Sequence, residues 1–358
     1  MYKFTHTYLL MLLAALCLIS CKSNTKKVKT IEKFPQTIYL NGKGIVTDEL
    51  NNMKEIIGIC DSIIILSNYK DTFNFYLINK NNFKVINKAV KRGRGPMEVP
   101  WNSGTFLDST KKILHVSSKA KPHLLSFHVK SLLQKELNPP DKSIKIPDNY
   151  NSYTQIQLIN DSIIALNGSK KYSVILINKK GKEIKKLGKL PSKPEGIKAV
   201  HYSNMNVNDF TYNSYRKQLA TGFYRMDKIV SYNLNGEKEF ETKGPGDSKA
   251  DYDKLYKSVE KKAYFSIKSD KNFIYALYSG RIGHKALSKA KTLNNIKRLY
   301  PKTIHVFDWE GNPKLEVNLR QECRDFTIDR ETNRLITLSP SDTTFYTYDF
   351  NKINKKLD

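Results

Sequence analysis

Cys60-Asp61-Ser62-Ile63-Ile64-Ile65-Leu66 returns one hundred residues later as Asn160-Asp161-Ser162-Ile163-Ile164-Ala165-Leu166. In both copies a polar pair precedes a continuous apolar run. Asp and Ser suit such a turn because their short side chains bond nearby backbone groups. Weaker copies stand between and beyond: Lys112-Ile113-Leu114-His115-Val116, Gln218-Leu219-Ala220-Thr221-Gly222, Lys271-Asn272-Phe273-Ile274-Tyr275-Ala276-Leu277 and Asn333-Arg334-Leu335-Ile336-Thr337-Leu338. Anchored on Ile63, Ile113, Ile163, Leu219, Ile274 and Leu335, the steps are 50, 50, 56, 55 and 61 residues.

Each run has a second behind it, such as Phe75-Tyr76-Leu77-Ile78-Asn79, Val174-Ile175-Leu176-Ile177-Asn178 and Ile304-His305-Val306-Phe307-Asp308. A turn follows most of these, as in Leu234-Asn235-Gly236-Glu237, and Asn-Gly is a strong hairpin signal. A third strand then alternates polar and apolar residues, as Glu183-Ile184-Lys185-Lys186-Leu187 does. Repeats of about fifty residues made of short antiparallel strands predict an all-β, six-bladed β-propeller with four-stranded blades. A pair of β-sandwiches would not give so regular a step. The last unit shows only three strands. Gln36-Thr37-Ile38-Tyr39-Leu40 is a spare strand ahead of the first unit, and we expect it to complete the last blade and close the ring.

The first residues read as a lipoprotein signal peptide, residues 1–20. Lys3 supplies a positive start, and residues 8–19 form an apolar run too short to span a bilayer. Leu18-Ile19-Ser20-Cys21 resembles a lipobox, so Cys21 is the expected site of lipidation. Several acyl chains on one cysteine anchor stably. Residues 21–35 are expected to be a flexible tether, and residues 36–358 the propeller. The tether lacks the acidic cluster that resembles a surface-export signal, which favours an outer-membrane anchor facing the periplasm. Cys60 and Cys323 remain in a compartment that permits disulfides. They would pair if the fold brings them together, and are otherwise two buried thiols.

The formal net charge is +27. The cations are 51 lysines and only 10 arginines, spread along the whole chain. Arginine is the residue suited to bidentate phosphate and base contacts, so the charge does not indicate a nucleic-acid partner.

Three stretches carry a family likeness. They are Gly93-Arg94-Gly95-Pro96-Met97-Glu98, Ala276-Leu277-Tyr278-Ser279-Gly280-Arg281 and Ile304-His305-Val306-Phe307-Asp308-Trp309-Glu310-Gly311. Together they resemble the TolB-like six-bladed β-propellers of Bacteroidetes, which are commonly lipoproteins. The resemblance implies a fold and a location and carries no reaction. The chain departs from the family pattern at Met97, where glycine is usual, and at Val99, where phenylalanine is usual.

Two candidate binding elements stand out. The 93–100 loop has backbone-fixing glycines beside Arg94 and Glu98, and a backbone-rich basic loop can bind an anion. A looser copy, Lys243-Gly244-Pro245-Gly246-Asp247, argues instead for a connector with Glu98 capping backbone donors. The 281–300 insert in the fifth unit is densely basic and contains Arg281, His284, Lys285 and Arg298. Long inserts in a regular scaffold often carry function. No catalytic motif, metal-ligand spacing or cofactor fingerprint appears. The expected function is therefore a monomeric binding or scaffolding module. It would meet the membrane through its lipid and an envelope protein or glycan through the propeller. A metal-dependent hydrolase or lyase with its site in the central channel is one alternative, and a basic glycan-surface binder is another.

Overall fold

In this computed structural model, residues 28–357 are described except for several stretches, of which the longest are 147–152, 253–260 and 283–299. The signal peptide, Cys21, His284, Lys285 and Arg298 lie outside the described residues.

Three short strands come first: β1 (Val28–Thr30), β2 (Thr37–Tyr39) and β3 (Lys43–Val46). Six blades follow, each an antiparallel sheet. Blade one is β4 (Met53–Cys60), β5 (Ile63–Asn68), β6 (Phe73–Asn79) and β7 (Val85–Lys91). Blade two is β8 (Asn102–Asp108), β9 (Ile113–Ser118), β10 (His123–His128) and β11 (Lys142–Lys145). Blade three is β12 (Ile156–Leu158), β13 (Ile163–Asn167), β14 (Tyr172–Asn178) and β15 (Glu183–Lys189). Blade four is β16 (Asn208–Asn213), β17 (Gln218–Phe223), β18 (Lys228–Asn233) and β19 (Lys238–Lys243). Blade five is β20 (Lys261–Ser269), β21 (Phe273–Ile282), β22 (Thr303–Asp308) and β23 (Pro313–Asn318). Blade six is β24 (Asp325–Asp329), β25 (Arg334–Leu338) and β26 (Thr344–Asp349), completed by β3.

The burial of each strand explains its sequence. β5 is buried at every position, because neighbouring blades cover both its faces. Ile64, Ile65 and Leu66 keep no exposed surface, and each such burial contributes roughly 1.5–3 kcal/mol. The outer strand β7 alternates, with Ala89 buried and Ile86 exposed. Equivalent residues end the third strands. Asn79 and Asn178 each accept the N–H two residues on, at 2.9 Å, and Asp308 does so at 3.1 Å. These bonds form the hairpin turns.

The ring is closed by an N-terminal strand, but not by the expected one. β3 pairs antiparallel with β26, with Thr344 opposite Val46. The 36–40 stretch instead supplies β2, which lies parallel to β23 as a fifth strand of blade five. The closing strand must run antiparallel at the outer edge of blade six, and the chain reaches that edge only after passing blade five.

The tether also needs correction. Residues 28–35 are not free. β1 pairs parallel with β19 as a fifth strand of blade four, and the Ile31 N–H donates to the Lys243 carbonyl at 2.8 Å. Ile31 is buried, and the Phe34 ring sits 4.3 Å from that of His305. The N-terminal segment is thus a strap laid across the outer edges of blades four, five and six in turn.

Cys60 and Cys323 are both free, buried thiols in different core clusters. Lys80 of blade one bridges the closure to Asp329 at 3.4 Å and to Glu331. A C-terminal helix, Asn351–Leu357, buries Ile353 in the blade five and six core. No described helix is long and apolar enough to cross a membrane.

Candidate functional site: the central channel

The innermost strand of each blade begins at the same end of the ring, and there the six strands surround a cavity of about 610 Å³. Every blade contributes to its wall. The size is typical of small-molecule sites. Antiparallel order brings the blade-to-blade connectors to this same end, along with the loops between second and third strands. The 93–100 loop therefore belongs to this face. So do both ends of the 283–299 stretch, at Ile282 and Tyr300.

One position in or just before each innermost strand organises the wall: Glu55, Thr105, Gln155, Asp209, Ser266 and Asp325. Most of these side chains reach the next blade. Asp325 Oδ2 accepts the Ile56 N–H at 2.8 Å. Glu55 Oε1 takes the Ser67 hydroxyl at 3.3 Å and faces the Thr105 hydroxyl at 3.5 Å. Gln155 makes two bonds to Phe210, accepting its N–H at 2.6 Å and donating to its carbonyl at 2.7 Å. Asp209 Oδ2 accepts the Ile267 N–H at 3.0 Å. Between blades two and three the backbones themselves meet. A Cβ on Gly104 would lie 3.2 Å from the Gln155 carbonyl carbon and the Ile156 nitrogen. The ring is therefore stitched around its bore by polar groups, and Asp325, Gln155 and Asp209 each bond the backbone of the next blade.

A lysine stands among the carboxylates. Burial pushes the Lys268 ammonium down, but Asp325, Asp209 and Glu55 outweigh it and hold the group above its ordinary range. Its Nζ donates to the Ile56 carbonyl at a long 3.4 Å. Burial likewise raises the Glu55 carboxyl, yet Lys54 and Lys268 more than offset this and keep it ionised; Lys54 Nζ is 3.2 Å away. Asp209 goes the other way. Burial pushes it to about 7 against the pull of Lys268. Asp325 is raised for the same reason. Its Oδ1 is buried without a hydrogen-bond partner.

The rim is basic and aromatic. Tyr224 and Phe265 lie edge to face with centroids 4.9 Å apart, and Tyr300 follows 6.3 Å from Phe265. Lys262 and Arg225 sit over Tyr224 at 5.5 and 5.6 Å, and Arg324 sits 5.5 Å from the Tyr300 ring. Arg324 also donates to the Met53 carbonyl. The wall can thus hold charge of either sign, offer donors and acceptors together, and stack a flat apolar surface.

The described sequence-predicted residues, Arg94, Glu98 and Arg281, fall around this site rather than in its wall. Arg94 is exposed on its loop. The Glu98 carboxylate accepts the Gly95 N–H at 2.9 Å and pairs with Lys91 at 3.3 Å. It packs so tightly on Gly93 that a Cβ there would stand 1.9 Å from Oε2. The blade-four copy uses a different acid for the same purpose. Asp227 accepts the Gly246 N–H at 2.9 Å and leaves no room for a Cβ on Gly244. Arg281 is a β21 residue whose backbone pairs with Lys262. Among the described residues, no three His, Cys, Asp or Glu side chains are placed to share a metal ion.

The channel wall was missed because innermost strands carry no apolar run. A signal does exist. The six wall positions lie eight residues before Ile63, Ile113, Ile163 and Ile274, and ten before Leu219 and Leu335. Each is a polar side chain.

Fold and site together define a six-bladed propeller with a charged, water-accessible bore. The chain belongs to the TolB-like six-bladed propeller family, whose model matches residues 41–331. Among solved structures it is similar to a member of the DUF4221 family from Bacteroides vulgatus. The identity is 10%, the match covers 87% of this chain and 97% of that one, and the TM-score is 0.57. A protein from Bacteroides fragilis, described as a candidate for export, is also similar. There the identity is 10%, the coverages are 90% and 97%, and the TM-score is 0.55. At such identities the likeness shows the fold alone. No curated protein matches the chain.

Proposed function

We propose that the protein is a lipid-anchored propeller of the cell envelope that binds a ligand at the mouth of its central channel. Lipidation at Cys21 would hold it to the periplasmic face of the outer membrane, and the similar B. fragilis protein, also described in terms of export, agrees with that setting. One observation carries the reading: each of the six blades places a polar side chain on the bore, and an ammonium, Lys268, stands among them with donors to spare. Replacing a whole buried ion cluster by apolar residues of similar volume is often neutral or stabilising, so a charge cluster kept at the bore supports a role in binding.

The test is retention of envelope material. Full-length protein in mild detergent, immobilised and washed with an envelope extract, is expected to retain a defined component, and Lys268→Met to release it. Equal retention by the two would remove the channel from the function. Retention of nothing by either would remove binding.

A further inference from the structure

The channel wall also indicates what kind of ligand it takes. We propose that the mouth holds a hexuronic acid, the acidic sugar unit of an anionic glycan, with its carboxylate on Lys268 and its ring against Phe265. This rests on the channel being the binding site, as proposed above.

Three features of the wall narrow the chemistry. First, the cation. Lys268 is charged and has three N–H donors, of which one is spent on a long bond to Ile56. An acceptor with negative charge completes it, and the basic rim of Lys54, Lys262, Arg225 and Arg324 would draw such a group in. Second, the acceptors. Glu55 is more than a third exposed to the bore, and Asp209 is partly exposed beside it, so both can take hydroxyl donors from a ligand. A bare anion such as phosphate brings charge without enough donors and meets these carboxylates as like charges. A cation meets Lys268 and the rim. A molecule with one carboxylate and several hydroxyls satisfies both halves. Third, the platform. Phe265 and Tyr224 present half-exposed rings at the mouth, suited to the apolar C–H face of a pyranose. The 610 Å³ cavity is large enough for one or two sugar units.

Binding should also depend on pH. Asp209 faces Lys268 from blade five, Asp325 from blade six, Glu55 from blade one and Gln155 from blade three. Its carboxyl titrates near 7 because of burial. Below that point it is neutral and the wall is one charge more positive, so an anionic ligand binds more tightly at pH 6 than at pH 8.

The experiment is calorimetry on the full-length protein in detergent with four probes: galacturonate, its methyl ester, galactose and inorganic phosphate. The ester keeps every hydroxyl and loses only the charge. Galacturonate is expected to bind about 10- to 100-fold more tightly than ester or galactose, as one charge-assisted bond implies. Lys268→Met should erase that preference. Because it strands three carboxylates and endangers the fold, Phe265→Ala serves as a second variant, expected to weaken acid and neutral sugar alike. Equal binding of acid and ester, or phosphate binding as tight as galacturonate, would overturn the assignment. If no sugar acid binds while Lys268 still governs retention of envelope material, the ligand class is wrong and the channel reading stands. If Lys268 governs neither, both fall.

Discussion

Asp209 shows how one buried carboxyl can connect stability to pH. Its folded-state value, about 7, lies above the ordinary 3.8 of the unfolded chain. Between those values the folded state keeps a proton that the unfolded state has lost, so stability falls as pH rises through this window. His115 acts in the opposite sense. Burial depresses it to about 4, so the folded state refuses a proton that the unfolded chain takes up below 6.5, and stability falls as pH drops toward 4. Asp209→Asn removes the first slope and keeps an oxygen that can accept the Ile267 N–H. The variant is expected to gain on the parent at pH 8 relative to pH 5 by about 1–2 kcal/mol, discounted for the water that reaches the bore. Chemical denaturation at the two pH values measures this. An unchanged difference would mean that the Asp209 charge is not felt by the fold. Glu98 and Asp227 are different acids with a shared duty. Each is clasped by a glycine-bearing connector, and each leaves no space for a Cβ on that glycine.

At the scale of strands, what could be read from the chain follows from how many neighbours a strand has. β5, β13 and β25 are covered on both faces, so apolar residues stand at consecutive positions in each and the repeat declares itself. The innermost strands have water on one side. Glu55, Gln155 and Asp209 stand where a buried strand would carry valine, and the pattern dissolves into an ordinary polar stretch. The edge strands are harder still. β1 and β2 have three residues each, and their docking rests on a few anchors: Ile31 and Phe34 for the first, Ile38 and Leu40 for the second. Val28, Ile31 and Phe34 do not alternate as strand residues would, so residues 28–35 read as a tether. β2 and β3 are both short and lie close together in the chain, and only the path around the ring tells which one closes it. The strap's attachment should accordingly be local. Ile31→Ala is expected to free the Ile31 N–H for rapid hydrogen exchange, since its bond to Lys243 depends on that anchor. Blade four keeps its own four strands, so the melting midpoint should move by no more than about 2–4 °C. A larger fall would show that the strap supports the whole ring.

The whole ring is held by two different seams. The outer seam is hydrogen bonding of β3 to β26, reinforced by Lys80 and Asp329 across the closure. The inner seam is the set of polar side chains that tie each innermost strand to the next. A six-membered ring with both seams is stiff, which suits a module that must present fixed groups around a bore. The strap adds a mechanical property. A load applied upstream of Val28 enters β1 first, β2 second and β3 last, because the chain threads blades four, five and six in that order. The first two strands act as fuses in series. Each can rupture and lengthen the chain while the closed ring remains intact. Freeing residues 28–36 alone releases roughly 3 nm at about 3.3–3.6 Å per residue. Stretching the molecule from its N-terminal end in an optical trap is expected to give one or two short, low-force steps before the main unfolding event. A single event with no earlier step would show that the strap and ring fail together. If Cys21 is lipidated as proposed, a pull on the molecule would lengthen its leash before the ring is disturbed.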